Sequence, residues 1–275
     1  MSDENEPIEE EEFIDPKSIR VLPPDRRIQG VKPTVAQKVE TALKSGRRYF
    51  GSSGAYMTHQ AFNPEYTEKE GANKITAKEY LDGERDTTKF IKKWVENKPG
   101  AVIIESVKVP SLEDENMDSE TGVIEGYDVD HIVVIGSEII LIDTKRWKKK
   151  KTYSVADDGS ALMTNKPFPG SHIYMSEYIQ NWLDYLDDDA CITGIVCINQ
   201  EEVTVIRNKN WYTNNYRLVE LGRFEELLND KWKLIEDFDK RHINSTLVSQ
   251  LVVRCTKPFD QYSKVFDMKS LRNFK

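Results

Sequence analysis

Two apolar runs, residues 132–135 and 139–142, flank Gly136-Ser137 and predict two neighbouring strands joined by a tight hairpin. Upstream, Val35, Val39 and Leu43 fall at helical spacing behind Thr34 as an N-cap, and Ser45-Gly46 ends that helix. Residues 76–97 predict a second helix, with Tyr80, Leu81, Phe90, Ile91, Trp94 and Val95 as its apolar positions, stopped by Asn97-Lys98-Pro99-Gly100. Val102–Val109 is β-branched and strand-like. Residues 151–155 and 160–163 predict another hairpin, around Asp158-Gly159. Residues 167–172 lead into a helix ending near 186, with Ile173, Tyr174, Tyr178, Ile179, Trp182, Leu183 and Leu186 apolar. A buried strand at 192–198 follows, then strands at 203–206 and 216–221 and a helix over 222–238. Beyond it the tail is basic and weakly patterned.

Composition bounds the setting of these elements. The 275 residues are 38% hydrophobic, enough for a core, and 31% charged. No run approaches the ~18 apolar residues that span a membrane. The acidic N-terminus has no signal-peptide pattern, so the expected location is the cytoplasm and no membrane partner is expected. Cys191, Cys197 and Cys255 lack metal-ligand spacing, and the first two, in one apolar stretch, read as free buried thiols. The net charge of −8 speaks against a nucleic-acid partner until its distribution is considered. Residues 1–14 hold seven acids and no base; of the 47 acids in the chain, the remaining 40 face 39 bases. Residues 1–33 therefore read as an acidic, unfolded leader followed by a proline-rich linker. The leader is either a solvated tail, a competitor of nucleic acid for a basic groove, or a dock for a protein partner.

Charge at the outer ends of the central hairpin changes the picture. Asp128 and Asp130 share one face of the first strand, and Asp143 and Lys145 share one face of the second. Antiparallel pairing about residues 136–137 brings Asp130 roughly opposite Asp143. Two carboxylates and an ammonium then meet at one edge of an apolar sheet, an arrangement that is costly unless something neutralises it. A hard divalent cation is the simplest remedy, since Mg²⁺ takes one or two carboxylates plus waters and phosphate oxygens. Solvated charges at an exposed strand end are the alternative.

These residues also carry a resemblance. Asp130, an apolar strand, then Asp143-Thr144-Lys145 resembles the D…(D/E)xK signature of the PD-(D/E)XK nucleases. With Gly83-Glu84 on the preceding helix, Asp128-Val129-Asp130-His131, Ile142–Lys145 and Trp147, the stretch resembles the nuclease-related domain, NERD, from about 76 to 228. The resemblance implies an α/β fold with a restriction-endonuclease-like core, a mixed sheet flanked by helices. It divides the chain into a helical N-terminal extension at 34–75, the nuclease-like domain at 76–228 and a C-terminal extension at 229–275. It implies a metal-dependent nuclease acting on nucleic acid, with DNA the first expectation. Asp130, Asp143 and the Thr144 backbone carbonyl would hold Mg²⁺ or Mn²⁺, Glu84 would complete the shell, and Lys145 would act on the phosphate. A role in phage biology, defence or repair would fit. The family commonly has a glutamine where Gly170, Ser171 and His172 stand here.

Arg146, Trp147, Lys148, Lys149, Lys150 and Lys151 follow directly, five bases and one aromatic ring. Their place beside the site suits contact with a phosphate backbone, although such a run also serves as a plain solvated face. His131 alternates away from Asp130 along its strand and reads as a structural hydrogen-bonder. A non-cleaving binding module and a protein-interaction component are the competing classes.

Overall fold

The computed structural model describes residues 13–25, 31–53, 74–110, 128–146, 152–155, 161–163, 167–186, 190–199, 204–206 and 216–255. Residues 1–12 of the acidic leader, residues 111–127, Trp147–Lys151, the expected turn at Asp158-Gly159 and the residues from 256 on lie outside them.

In chain order the strands are β1 (Arg20–Leu22), β2 (Tyr49–Gly51), β3 (Ala101–Lys108), β4 (Asp128–Ile135), β5 (Glu138–Lys145), β6 (Thr152–Val155), β7 (Ala161–Met163), β8 (Pro167–His172), β9 (Cys191–Ile198), β10 (Thr204–Ile206), β11 (Tyr216–Glu220) and β12 (His242–Asn244). The helices are α1 (Pro33–Lys44), α2 (Lys74–Val95), α3 (Met175–Tyr185), α4 (Leu221–Leu234), α5 (Asp237–Arg241) and α6 (Ser245–Val252). Six strands form the central sheet in the order β11, β9, β5, β4, β3, β2. The β3–β4 and β4–β5 pairs are antiparallel, whereas β2–β3, β5–β9 and β9–β11 are parallel. This is the expected mixed α/β sheet flanked by helices.

Both faces of the sheet are covered, which is why its strands read as near-continuous apolar runs. On one face Ile104, Ile132, Val134, Ile139, Leu141, Val196 and Leu218 pack with Val39 and Leu43 of α1, Ile179 and Trp182 of α3, and Val248 and Leu251 of α6. On the other, Ile103, Val133, Ile140, Ile142, Ile195 and Val219 pack with Ile91 and Trp94 of α2 and Phe224 and Leu228 of α4. Strand alternation then assigns the ends of β5: Asp143 continues the Ile139–Leu141 face and Thr144 the Ile140–Ile142 face.

Several details differ from the sequence reading. Pro33, not Thr34, opens α1; its fixed φ and missing N–H suit a first helical position, and Lys32 occupies the cap. Within the expected linker, Arg20–Leu22 forms a strand parallel to His242–Asn244. Residues 167–172 form a strand, antiparallel to β7, before α3 begins. The expected helix over 222–238 is two, broken between Leu234 and Asp237. Cys191 is exposed at the start of β9, while Cys197 and Cys255 are buried free thiols. The segment beyond 228 supplies core: every residue of α6 from Leu247 to Val252 is buried.

The β4–β5 turn lies at the sheet end remote from the charged residues. Gly136 has φ +58°, and a Cβ there would come within 2.1 Å of Asp239 Oδ1. That carboxylate accepts from Ser137 N and, at 3.1 Å, from Ser137 Oγ. Gly136→Ala is therefore expected to cost about 2 kcal/mol, the left-handed penalty plus displacement of this cap. A urea midpoint equal to wild type would show the turn to be indifferent to a side chain.

Candidate metal and phosphodiesterase site

β5 is held differently on its two sides, and the site lies in that difference. Its pairing with β9 continues in register to Lys145↔Ile198 and is extended when Asn199 N donates to Lys145 O at 2.9 Å. Its ladder with β4 stops at His131↔Ile142. Beyond that point the next donor, Thr144 N, is taken by the Asp130 side chain, with Oδ2 accepting at 2.6 Å. β4 meanwhile stays paired with β3 to its first residue, Lys108↔Asp128. The strands part where Asp128, Asp130, Asp143 and Lys145 stand.

Asp143 is buried, and Lys145 Nζ lies 2.8 Å from its Oδ2 and 3.1 Å from its Oδ1. Burial alone would lower the Lys145 pKa, but Asp143 and Asp130 outweigh it and hold the ammonium above the usual lysine range. The expected meeting of two carboxylates and one ammonium is thus present.

Glu84 joins them from α2, where it is buried. What seats this helix is a residue that the sequence reading did not single out. Asn199 Nδ2 donates to Gly83 O at 2.7 Å and to Thr87 Oγ1 at 3.1 Å, tying the first half of α2 to the ends of β5 and β9. A hydrogen-bonding residue just past an apolar strand was the available signal. Gly83 also admits Arg146, whose Cδ would stand 3.0 Å from any Cβ at that position. Arg146 lies against α2, its Nη1 3.6 Å from Asp86 Oδ2.

Desolvation raises the Asp130 carboxyl well above its ordinary pKa, and Glu84, Asp143 and Asp128 push it further; Lys145 only partly opposes them. Asp128 is raised to about 6 by burial and Asp143, against Lys108 and Lys145. Lys108, buried on β3, is lowered to about 8 by desolvation, with Asp128 opposing. Lys108 is a member of this charge cluster that motif reading passed over.

Among the described residues, no three His, Cys, Asp or Glu side chains converge as an ion-binding group. Mg²⁺ fits the donors present, because it needs few carboxylates and keeps its waters. The donor chemistry agrees: oxygen groups whose mutual repulsion is unrelieved by a single lysine favour a hard cation.

His131 is fully buried with Nε2 3.1 Å from Thr144 Oγ1, away from Asp143 and Lys145 as alternation requires. His172 is exposed, 3.6 Å from Glu177 and packed on Tyr174. No described helix is long and apolar enough to cross a membrane.

Comparison with curated proteins found no match, and comparison with solved structures found none. Against protein families, residues 81–199 match the nuclease-related domain, NERD, a stretch that opens two residues before Gly83 and closes on Asn199. Glu84, Asp130, Asp143, Thr144 and Lys145 all fall inside it, and the nuclease-like core expected from the sequence is the fold observed. Residues 81–199 are thus similar to a nuclease-related domain, and the parted, charged ends of β4 and β5 lie within that stretch.

Proposed function

We propose that the protein is a metal-dependent nuclease that hydrolyses phosphodiester bonds, with DNA as substrate. The observation that carries this reading is the end of the β4–β5 ladder, beyond which Asp130 accepts from Thr144 N–H and Asp143 pairs with Lys145 at 2.8 Å. Asp130, Asp143 and the Thr144 backbone carbonyl would hold Mg²⁺ or Mn²⁺, with Glu84 completing the shell. When bound, such an ion polarises a phosphoryl oxygen and lowers the pKa of its water.

The remaining chemistry belongs to the chain. Lys145 keeps its proton at neutral pH because Asp143 and Asp130 stabilise the ammonium. It therefore acts as a cation that orients water and stabilises charge developing on the phosphate, and not as a base. Burial and the neighbouring carboxylates favour the protonated form of Asp130, which a bound cation would oppose. Lys148–Lys151 would contact the backbone of the substrate, and the acidic leader would compete for the same groove.

Lys145→Ala and Asp143→Asn are each expected to lower cleavage of plasmid DNA in Mg²⁺ or Mn²⁺ at least ~100-fold, the scale on which one charge-stabilising group acts. EDTA should abolish cleavage by wild type. Replacing Lys148–Lys151 with serine should leave the metal requirement intact and flatten the salt dependence of binding by up to about four phosphate contacts. Wild-type cleavage that persists in EDTA, or in both point variants, would remove the cleft from the reaction.

Metal-free stability supplies a second check. The native carboxyls of Asp128 and Asp130 titrate above their unfolded values, so native protein binds more protons than unfolded protein from about pH 4 through about 6 and beyond. Stability in EDTA should fall as pH rises through that window. Asp130→Asn, which still accepts from Thr144 N–H, should match wild type near pH 4. At pH 7 it should melt about 3–6 °C higher, as ~1–2 kcal/mol of relieved repulsion would give in a domain of this size. Parallel pH profiles for the two proteins would contradict the assigned repulsion.

A further inference from the structure

Behind the cleft lies a chain of buried polar groups that the nuclease reading leaves unused. Glu105 on β3 and His131 on β4 are cross-strand partners, and both are fully buried. His131 Nδ1 lies 3.4 Å from Glu105 Oε1, within ion-pair distance, and neither atom has a hydrogen-bond partner among the described residues. The Tyr49 hydroxyl, from β2, donates to Glu105 Oε2 at 2.5 Å. Nε2 of the same ring lies 3.1 Å from the Thr144 hydroxyl, and with the ring proton on Nδ1, towards the carboxylate, Nε2 accepts from that hydroxyl. Thr144 in turn donates its backbone N–H to Asp130. The chain crosses four adjacent strands and ends on a carboxylate of the cleft.

A carboxylate and an imidazole buried in a β-branched core are a poor means of stability; apolar residues of the same size would pack there at lower cost. Their position gives a different reason. Thr144 sits just beyond the last β4–β5 pair, where the strands have already separated. Two side-chain contacts replace the missing ladder at this residue: Asp130 takes its N–H, and His131 takes its hydroxyl. Since Thr144 lies between Asp143 and Lys145, its rotamer and peptide plane set where both side chains and its own carbonyl point.

Resting on the metal-nuclease reading, we propose that Glu105, His131 and the Thr144 hydroxyl form a positioning relay that presets the cation-holding carboxylates. Full burial of Glu105 and His131 keeps both from touching substrate, so neither is catalytic. Outer partners of this kind typically govern cation affinity by tenfold to a hundredfold. Tyr49 lies outside the matched domain, and the relay thereby makes the N-terminal segment part of the site's support.

The test is Mn²⁺ titration calorimetry, with kcat and KM measured on DNA, for wild type, Thr144→Val, Thr144→Ser and Glu105→Gln. Thr144→Val keeps the shape and removes the hydroxyl; it should weaken Mn²⁺ binding about tenfold and lower kcat, with KM within about twofold. Thr144→Ser restores the hydroxyl and should recover most of the lost affinity. Glu105→Gln, which retains an acceptor for Tyr49, should weaken Mn²⁺ severalfold and decides the matter if Thr144→Val fails to fold. Wild-type affinity in Thr144→Val or Glu105→Gln, or equal losses in Thr144→Val and Thr144→Ser, would overturn the relay while leaving the nuclease reading intact. A wild-type protein that takes up no Mn²⁺ would overturn both.

Discussion

Carboxylates crowded into one half-dry cleft impose the constraint on which the rest of this structure depends. Burial, with Glu84, Asp143 and Asp128 beside it, raises the cost of ionising Asp130, burial and Asp143 raise that of Asp128, and Lys145 offsets only part of it. A fold optimised for stability alone would remove them. Holding such charges together requires a frame that does not relax, and the frame is the well-paired part of the sheet. β5 leans on β9 to its last residue, β4 leans on β3, and only the seam between β4 and β5 is open.

That frame extends beyond the nuclease-related domain at 81–199. β2, from the N-terminal segment, extends the sheet beside β3. From the C-terminal segment, buried Arg254 donates to Lys108 O at 2.9 Å and Val109 O at 3.2 Å, while its own carbonyl accepts from Lys108 N. Lys108 and its partner Asp128 are thus fixed by a residue more than a hundred positions away. α6 completes the core against α1 on the same side.

The hairpin was legible because a glycine turn between two apolar runs has few alternative structures, and strand alternation then fixed which charges met. Asp143 and Lys145 followed from that period without any contact information. Glu84 did not: one glutamate on an amphipathic helix is indistinguishable from a solvated one, and only the resemblance selected it. Asn199, Glu105 and Lys108 were invisible for a physical reason. Each acts through a partner distant in sequence, and nothing local in an apolar strand says which polar residue will be satisfied inside. α6 was missed similarly, since an eight-residue helix is too short for its period to stand out, and tertiary packing makes it. β8 was misread because its Pro-Phe-Pro-Gly sequence carries turn chemistry, yet as the end strand of a small sheet it tolerates prolines.

The central claim is that the parted ends of β4 and β5 hold a divalent cation on Asp130 and Asp143. Anomalous diffraction at the manganese edge, from crystals soaked in Mn²⁺, addresses it without reference to activity. One strong peak is expected within about 2.2 Å of oxygens from both aspartates, close to the bond lengths of octahedral cations of this class. Crystals whose only peaks lie elsewhere, with Asp143 still closed on Lys145, would contradict it.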